Sequence, residues 1–137
     1  MPLTTRFRVL FVDNDLDACE MVSFLLNLRQ IDVTCSQSAA DARLKLKSQG
    51  FELIILDVWL PDVDGFEFCR QLRAVDSKTP VLFYSGAAYD ADRKEGLAAG
   101  ANAYLVKPNI ERLTETVLSL LVQHVSRGIN TQSGVHA

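Results

Sequence analysis

Five apolar runs, each followed by a segment whose apolar positions recur with helical spacing, set the fold class of this chain. Arg8–Val12 (RVLFV), Phe51–Leu56 (FELIIL), Pro80–Tyr84 (PVLFY) and Ala103–Val106 (AYLV) are short and almost wholly apolar. Runs of that kind suit strands buried on both faces. The remaining run alternates Ile31, Val33 and Cys35 with Asp32 and Thr34, as a strand with one wet face does. After the first run, Asp15 or a neighbour caps a helix that carries Ala18, Met21, Val22, Leu25 and Leu28 at three-and-four spacing. Ser38, with Asp41 three residues on, opens a second helix that ends near Gly50. Pro61 and Gly65 bracket a loop, and Asp64 caps a third helix to about Ala74. A short helix near Asp90–Ala99 closes at Gly100, and Asn109 caps a last one with Leu113, Val117, Leu120 and Leu121 on one face. The charged stretch Asp90–Glu95 reads as the solvated side of the fourth helix.

Strict alternation of strand and helix predicts a parallel sheet with helices on both faces, an α/β fold of the (βα)5 doubly wound kind. Right-handed crossovers leave few orders open, and 2-1-3-4-5 places the alternating second strand at an edge. Residues 6–125 make one domain, as expected for a chain of 137 residues. Residues 126–137 read as a short polar tail that frays, too short for an output module such as a helix-turn-helix. A 48% hydrophobic and 23% charged composition excludes a disordered chain. The net charge of −3 argues against direct DNA binding. No apolar run is long enough for a membrane span, and the N-terminus lacks the pattern of a signal peptide, so a cytoplasmic location is expected. Cys19, Cys35 and Cys69 are odd in number and widely spaced, which predicts reduced thiols rather than a disulfide framework or a zinc site.

In an open α/β sheet, ligands bind beyond the carboxyl ends of the strands, where the strand order reverses. The first strand ends in Asp13 and Asn14, the third in Asp57, the fourth in Ser85, and the fifth in Lys107 followed by Pro108. Two carboxylates on adjacent strands repel unless cations lie between them. Lys107 supplies one charge, and a hard divalent cation such as Mg2+ suits the rest. A carboxylate, a magnesium ion, a lysine and a hydroxyl are the parts that phosphoryl transfer uses.

The segments VDND at 12–15, LDVWLPDVDGFE at 56–67, VLFYSG at 81–86 and AYLVKP at 103–108 carry a resemblance. Over residues 6–125 the chain resembles the receiver domain of two-component response regulators, of the chemotaxis-regulator, flavodoxin-like type. The resemblance implies Asp57 as phosphoacceptor, with Asp13, Asn14, Asp57 and the backbone carbonyl of Trp59 as magnesium ligands. It implies that Lys107 pairs with the acceptor and then with the phosphate, and that Ser85 follows the phosphoryl group. Tyr104 would be the aromatic switch that turns inward when Ser85 moves, and Pro108 would hold the lysine's loop through a cis peptide. The partners implied are a sensor histidine kinase or histidine phosphotransfer domain upstream, and a protein effector or an output domain in a longer chain downstream. Helix one and the loop after the fifth strand would dock the upstream partner and no membrane is involved.

One position departs from the pattern. Asn14 stands where the family usually has a second aspartate, so weaker magnesium binding is expected. Trp59 and Ala87, which would flank the phosphoryl group, carry no group to orient a water, so self-dephosphorylation should be slow. The chain would catalyse its own phosphorylation without being a turnover enzyme. The alternative is a pseudo-receiver, an interaction module independent of phosphate, for which Asn14 is the sole support. An aspartyl phosphatase would need a second aspartate where Trp59 stands, and a flavin site would need a phosphate cradle after the first strand. Asp62 and Asp64 read as loop and cap residues, and His124 and His136 as uninvolved.

Overall fold

The computed structural model describes the backbone of residues 6–136 and the side chains of residues 6–128. Its strands are β1 (Phe7–Val12), β2 (Ile31–Ser36), β3 (Leu53–Leu56), β4 (Val81–Ser85) and β5 (Ala103–Val106). The helices between and after them are α1 (Leu16–Asn27), α2 (Ala39–Ser48), α3 (Gly65–Val75), α4 (Asp90–Ala98) and α5 (Ile110–His136). All pairings are parallel and the order is β2-β1-β3-β4-β5. The expected (βα)5 fold is therefore the observed one.

Alternation along each strand explains the three layers. Val9 and Phe11 of β1, Leu53 and Ile55 of β3, and Leu82 and Tyr84 of β4 pack on Val22 and Leu26 of α1 and on Leu113, Val117, Leu120 and Leu121 of α5. Leu10 and Val12, Ile54 and Leu56, and Val81 and Phe83 face the other way, onto Phe66, Phe68, Cys69 and Leu72 of α3 with Ala39 and Ala42 of α2. The interior strands β1, β3 and β4 are mostly buried on both faces, whereas β5, also apolar, lies at the sheet edge and is only partly buried.

Caps set the helix starts. Asp15 accepts from the N–H groups of Asp17 and Ala18, Ser38 from Asp41, Asp64 from Glu67, and Asn109 from Arg112. Gly100 closes α4 at φ +116°, a backbone state open to glycine. Asp62, in the loop after β3, accepts from the N–H groups of Ala39 at 3.0 Å and Ala40 at 2.8 Å. It therefore caps α2 from outside that helix and ties the loop that follows Asp57 to the neighbouring helix.

Three expectations change. In α1 the apolar stripe is narrower than the spacing suggested: Val22 and Leu26 are buried, whereas Met21 and Leu28 are exposed. A one-residue rotation of the helix face exchanges which members of a contiguous apolar run point inward. The stretch expected to fray from Ser126 continues α5 as helix to His136, since no proline interrupts it. Cys19 and Cys35, expected as reduced thiols, are joined as a disulfide, while Cys69 is free and buried. Their sixteen-residue separation hides the pairing, which exists because α1 lies against β2. Among the described residues no helix is long and apolar enough to cross a membrane.

Asp62→Ala is expected to lower stability by about 1 kcal/mol, the worth of a helix cap. A urea midpoint equal to the parent's would show that Ser38 caps α2 without help.

Candidate functional site

Register brings the polar strand ends together. Val12 lies opposite Leu56, and Leu56 opposite Phe83. The ladder runs one residue further: Asp57 N–H donates to Val12 O at 3.0 Å, and Asp13 N–H to Ser36 O at 2.9 Å. Asp13 and Asp57 thus leave adjacent strands at the same height, held by backbone. Ser85 lies opposite Val106, and the Lys107 N–H donates to Ser85 O at 2.9 Å, so β5 delivers Lys107 to the same edge. The Lys107–Pro108 peptide is cis, as expected.

Both carboxylates are buried, Asp13 to 3% exposure and Asp57 to 7%. Burying a charge is costly unless it is paired and hydrogen-bonded. Lys107 Nζ donates to Asp13 Oδ2 at 2.5 Å and lies 3.6 Å from Asp57 Oδ2. Each remaining oxygen takes a backbone donor: Asp15 N–H to Asp13 Oδ1 at 2.9 Å, and Val58 N–H to Asp57 Oδ1 at 2.8 Å. Burial pushes the Asp13 carboxyl above its usual range; the Lys107 and Asp15 hydrogen bonds oppose this, and the charge of Asp57 adds to it. Burial by itself would lower the Lys107 ammonium, but the hydrogen bond to Asp13 and the charges of Asp57 and Asp13 hold it above the ordinary lysine value. The expected ion pair of the lysine with Asp57 is present at 3.6 Å, but its shorter contact goes to Asp13, which leaves Asp57 Oδ2 the less engaged oxygen.

One ammonium against two carboxylates leaves the edge negative. Among the described residues no three His, Cys, Asp or Glu side chains gather as a metal cluster. Asp13 and Asp57, with the Asn14 amide and the Trp59 carbonyl that the resemblance implies, would offer oxygen donors with few charges. That composition fits magnesium, which keeps several waters, better than a thiolate- or imidazole-seeking metal.

The second half of the site is an arrangement around Ala87. Ser85 is fully buried, and its Oγ accepts from Ala87 N–H at 3.2 Å. Tyr104 Oη donates to Ala87 O at 2.6 Å. The Tyr104 ring is 3% exposed, with its centroid 5.6 Å from that of Phe83. Burial pushes its phenol up to about 12, and the charges of Asp92 and Asp57 add to the rise, so the hydroxyl stays a donor at neutral pH. Tyr104 was expected to turn inward once Ser85 moved. In this structure it lies inward and Ser85 is bonded to Ala87.

The slot that holds Tyr104 depends on Gly96, which no local sequence pattern marks. A Cβ at Gly96 would come within 2.8 Å of Tyr104 Cδ2 and 3.0 Å of Phe83 Cδ2. Arg93 was also missed: its guanidinium lies 5.8 Å from the Tyr104 ring centre and donates to Tyr104 O at 3.2 Å. It sat inside a charged run with nothing to separate it from solvated neighbours. A Cβ at Gly65 would fall 2.1 Å from Asp57 O, so this glycine lets the loop close onto the Asp57 backbone. Trp59 is 63% exposed and its ring covers Gly86, whereas Ala87 is buried. His124 lies with Lys78, Pro80 and Asn102 at the opposite edge of the sheet, and the side chain of His136 lies outside the described residues.

Comparison with known proteins gives one family. A model described as "Response regulator receiver domain" matches residues 9–118. The chain is 36% identical over 115 residues to the transcriptional regulatory protein TrcR of Mycobacterium tuberculosis, covering 83% of this chain and 45% of that protein. It is 33% identical over 124 residues to the CpxR homolog of Haemophilus influenzae, covering 90% of this chain and 54% of that one. The chain thus spans about half the length of these curated relatives. Among solved structures, the chemotaxis response regulator CheY4 of Vibrio cholerae superposes with TM-score 0.79 at 33% identity, over 85% of this chain and 99% of that one. A CheY-like receiver domain protein of Methanospirillum hungatei gives 0.84 at 25% identity, over 90% and 99%.

Gly96→Ala tests the slot by its sign. In an open helix position the change stabilises by about 0.5–1 kcal/mol. Here it is expected to cost about 1–3 kcal/mol through overpacking. It should also drive Tyr104 outward, read as faster nitration of that tyrosine. A raised melting temperature with Tyr104 still protected would refute the account.

Proposed function

Because the chain belongs to the response regulator receiver family, we propose that Asp57 accepts a phosphoryl group from a phosphohistidine. The donor is a sensor histidine kinase or a histidine phosphotransfer domain, and the setting is cytoplasmic two-component signalling. The observation that carries the reading is the convergence of Asp57, Asp13, Lys107 and Ser85 at one sheet edge, with Asp57 Oδ2 3.6 Å from the lysine while Asp13 holds it at 2.5 Å.

An oxygen of Asp57 attacks phosphorus as the bond from phosphorus to the imidazole nitrogen breaks, and the imidazole keeps the electron pair. The acceptor is placed by backbone bonds on both sides, so little motion is lost at the moment of transfer. Magnesium held by Asp13, Asp57, Asn14 and the Trp59 carbonyl would neutralise charge on the transferring oxygens. Lys107 Nζ would swing from Asp13 toward the new phosphoryl oxygens, and Asp13 would be among the residues that hold the metal.

Ser85 Oγ leaves the Ala87 N–H for a phosphoryl oxygen. Ala87 is also the residue whose carbonyl holds Tyr104, so the event reaches the α4-β5-α5 surface through the two peptide groups that flank one residue. Tyr104 lies inward in this structure, and phosphorylation would act by shifting the population between two packings. The relatives named transcriptional regulatory proteins extend well beyond the matched region. We assign the downstream partner as a protein surface, either an effector or an output domain of a longer chain.

Incubation with a small phosphodonor and magnesium should add one phosphoryl group by intact mass, lost in Asp57→Asn. The adduct should decay slowly, since neither Trp59 nor Ala87 orients a water. No adduct in the parent protein sinks the reading, and decay within seconds sinks the claim about rate. Asn14→Asp should tighten magnesium binding roughly 3–10-fold by adding a ligand charge, followed through Trp59 fluorescence. An unchanged dissociation constant would remove Asn14 from the ligand set.

A further inference from the structure

We propose that Cys19 and Cys35 form a reversible thiol–disulfide site that staples α1 to β2 beneath Asp13 and exchanges with a low-molecular-weight disulfide such as oxidised glutathione. The Cα atoms are 6.2 Å apart, within the span that a disulfide bridges without moving the backbone. Both residues are only partly buried, so an exchange partner can reach them, unlike Cys69 in the core. Ser23 Oγ lies 3.7 Å from Cys35 Sγ and 4.0 Å from Cys19 Sγ, in position to donate to whichever sulfur carries the negative charge when the bridge is open.

The bridge closes a circuit around the acidic edge. Asp13 N–H donates to Ser36 O at 2.9 Å, and Ser36 is the residue after Cys35. Asp15 N–H donates to Asp13 Oδ1 at 2.9 Å, and Cys19 N–H donates to Asp15 O at 3.1 Å. From Asp13 through Asp15, Cys19, Cys35 and Ser36 back to Asp13, every link but the disulfide is a hydrogen bond or a peptide bond. Opening the sulfur bond leaves the first turn of α1 held to β2 by packing and by the remaining hydrogen bonds of that circuit. Closing it fixes the strand end and the helix start between which Asp13 sits.

The exchange balances without a metal or an external electron carrier. A thiolate of one cysteine attacks a sulfur of the donor disulfide and releases one donor thiol. The second cysteine's thiolate attacks the mixed disulfide and releases the other. The two cysteines lose two electrons and two protons, which leave as two donor thiols, and a dithiol reductant reverses the sequence. Disulfides in a reducing compartment are transient and regulatory, and partial exposure suits that use. The bridge itself does not depend on Asp57 being a phosphoacceptor; its effect on signalling rests on that reading.

The full chain is equilibrated in glutathione mixtures from reducing to oxidising, acid-quenched, denatured and alkylated. At the oxidising end a linked Cys19–Cys35 peptide should appear by mass, with Cys69 alone alkylated; at the reducing end all three cysteines should be alkylated. Amide exchange of Asp13 and Asp15 should be about tenfold slower in the oxidised protein, the response to local stabilisation of the circuit. That difference should vanish in Cys19→Ser and in Cys35→Ser. Three alkylated cysteines throughout, or a bridge to Cys69, overturns the site. A bridge with unchanged exchange at Asp13 overturns the staple. A chain that forms the bridge with slowed exchange yet accepts no phosphoryl group would sustain this proposal and sink only the assignment of Asp57.

Discussion

Lys107 has one charge to set against two buried carboxylates, and the carboxyl edge of the sheet is organised around that shortage. Asp13 takes the short contact, and Asp57 is left at a longer one. Burial raises the cost of each uncompensated charge, so the backbone donors from Asp15 and Val58 are needed as well. An edge that remains negative, with one carboxylate oxygen weakly engaged, is ready for a cation and an electrophile together. The same pairing explains why the lysine must arrive on the end of a strand. Only β5, hydrogen-bonded through Lys107 N–H to Ser85, sets the ammonium opposite strands β1 and β3.

Ala87 joins the edge to the packed group around Tyr104. Its N–H is bonded to Ser85 and its carbonyl to Tyr104, so two side chains with different tasks share one peptide-linked residue. The inward place of Tyr104 needs no prior motion of Ser85 because Gly96 leaves the space empty and Phe83 lines it. Arg93 covers the ring from the solvent side. The aromatic residue is best described as one member of a packed group whose balance a phosphoryl group would tip.

Much of the site could be read from the chain itself. Asp13, Asp57, Ser85 and Lys107 are recognisable because each follows an apolar run directly, and the topology of five such runs forces their ends together. Asp15, Ser38, Asp64 and Asn109 were legible as caps because capping is local chemistry. Gly96, Arg93 and Asp62 were not, since each acts on an element distant in sequence. The same reason hides the Cys19–Cys35 pair, and it accounts for Met21 and Leu28, whose exposure depends on which way α1 rolls against the sheet.

Alternation of apolar runs with helical periods determined the layer architecture, the strand order and the set of polar residues at the carboxyl edge. These follow from patterns of period two and period 3.6, which act over a few residues and so are written in the chain. Tertiary structure decided which carboxylate holds the lysine, that Tyr104 lies inward beside Gly96, and that α1 is joined to β2 through sulfur. Those outcomes turn on distances between side chains brought together from separate elements, and no local pattern encodes such distances.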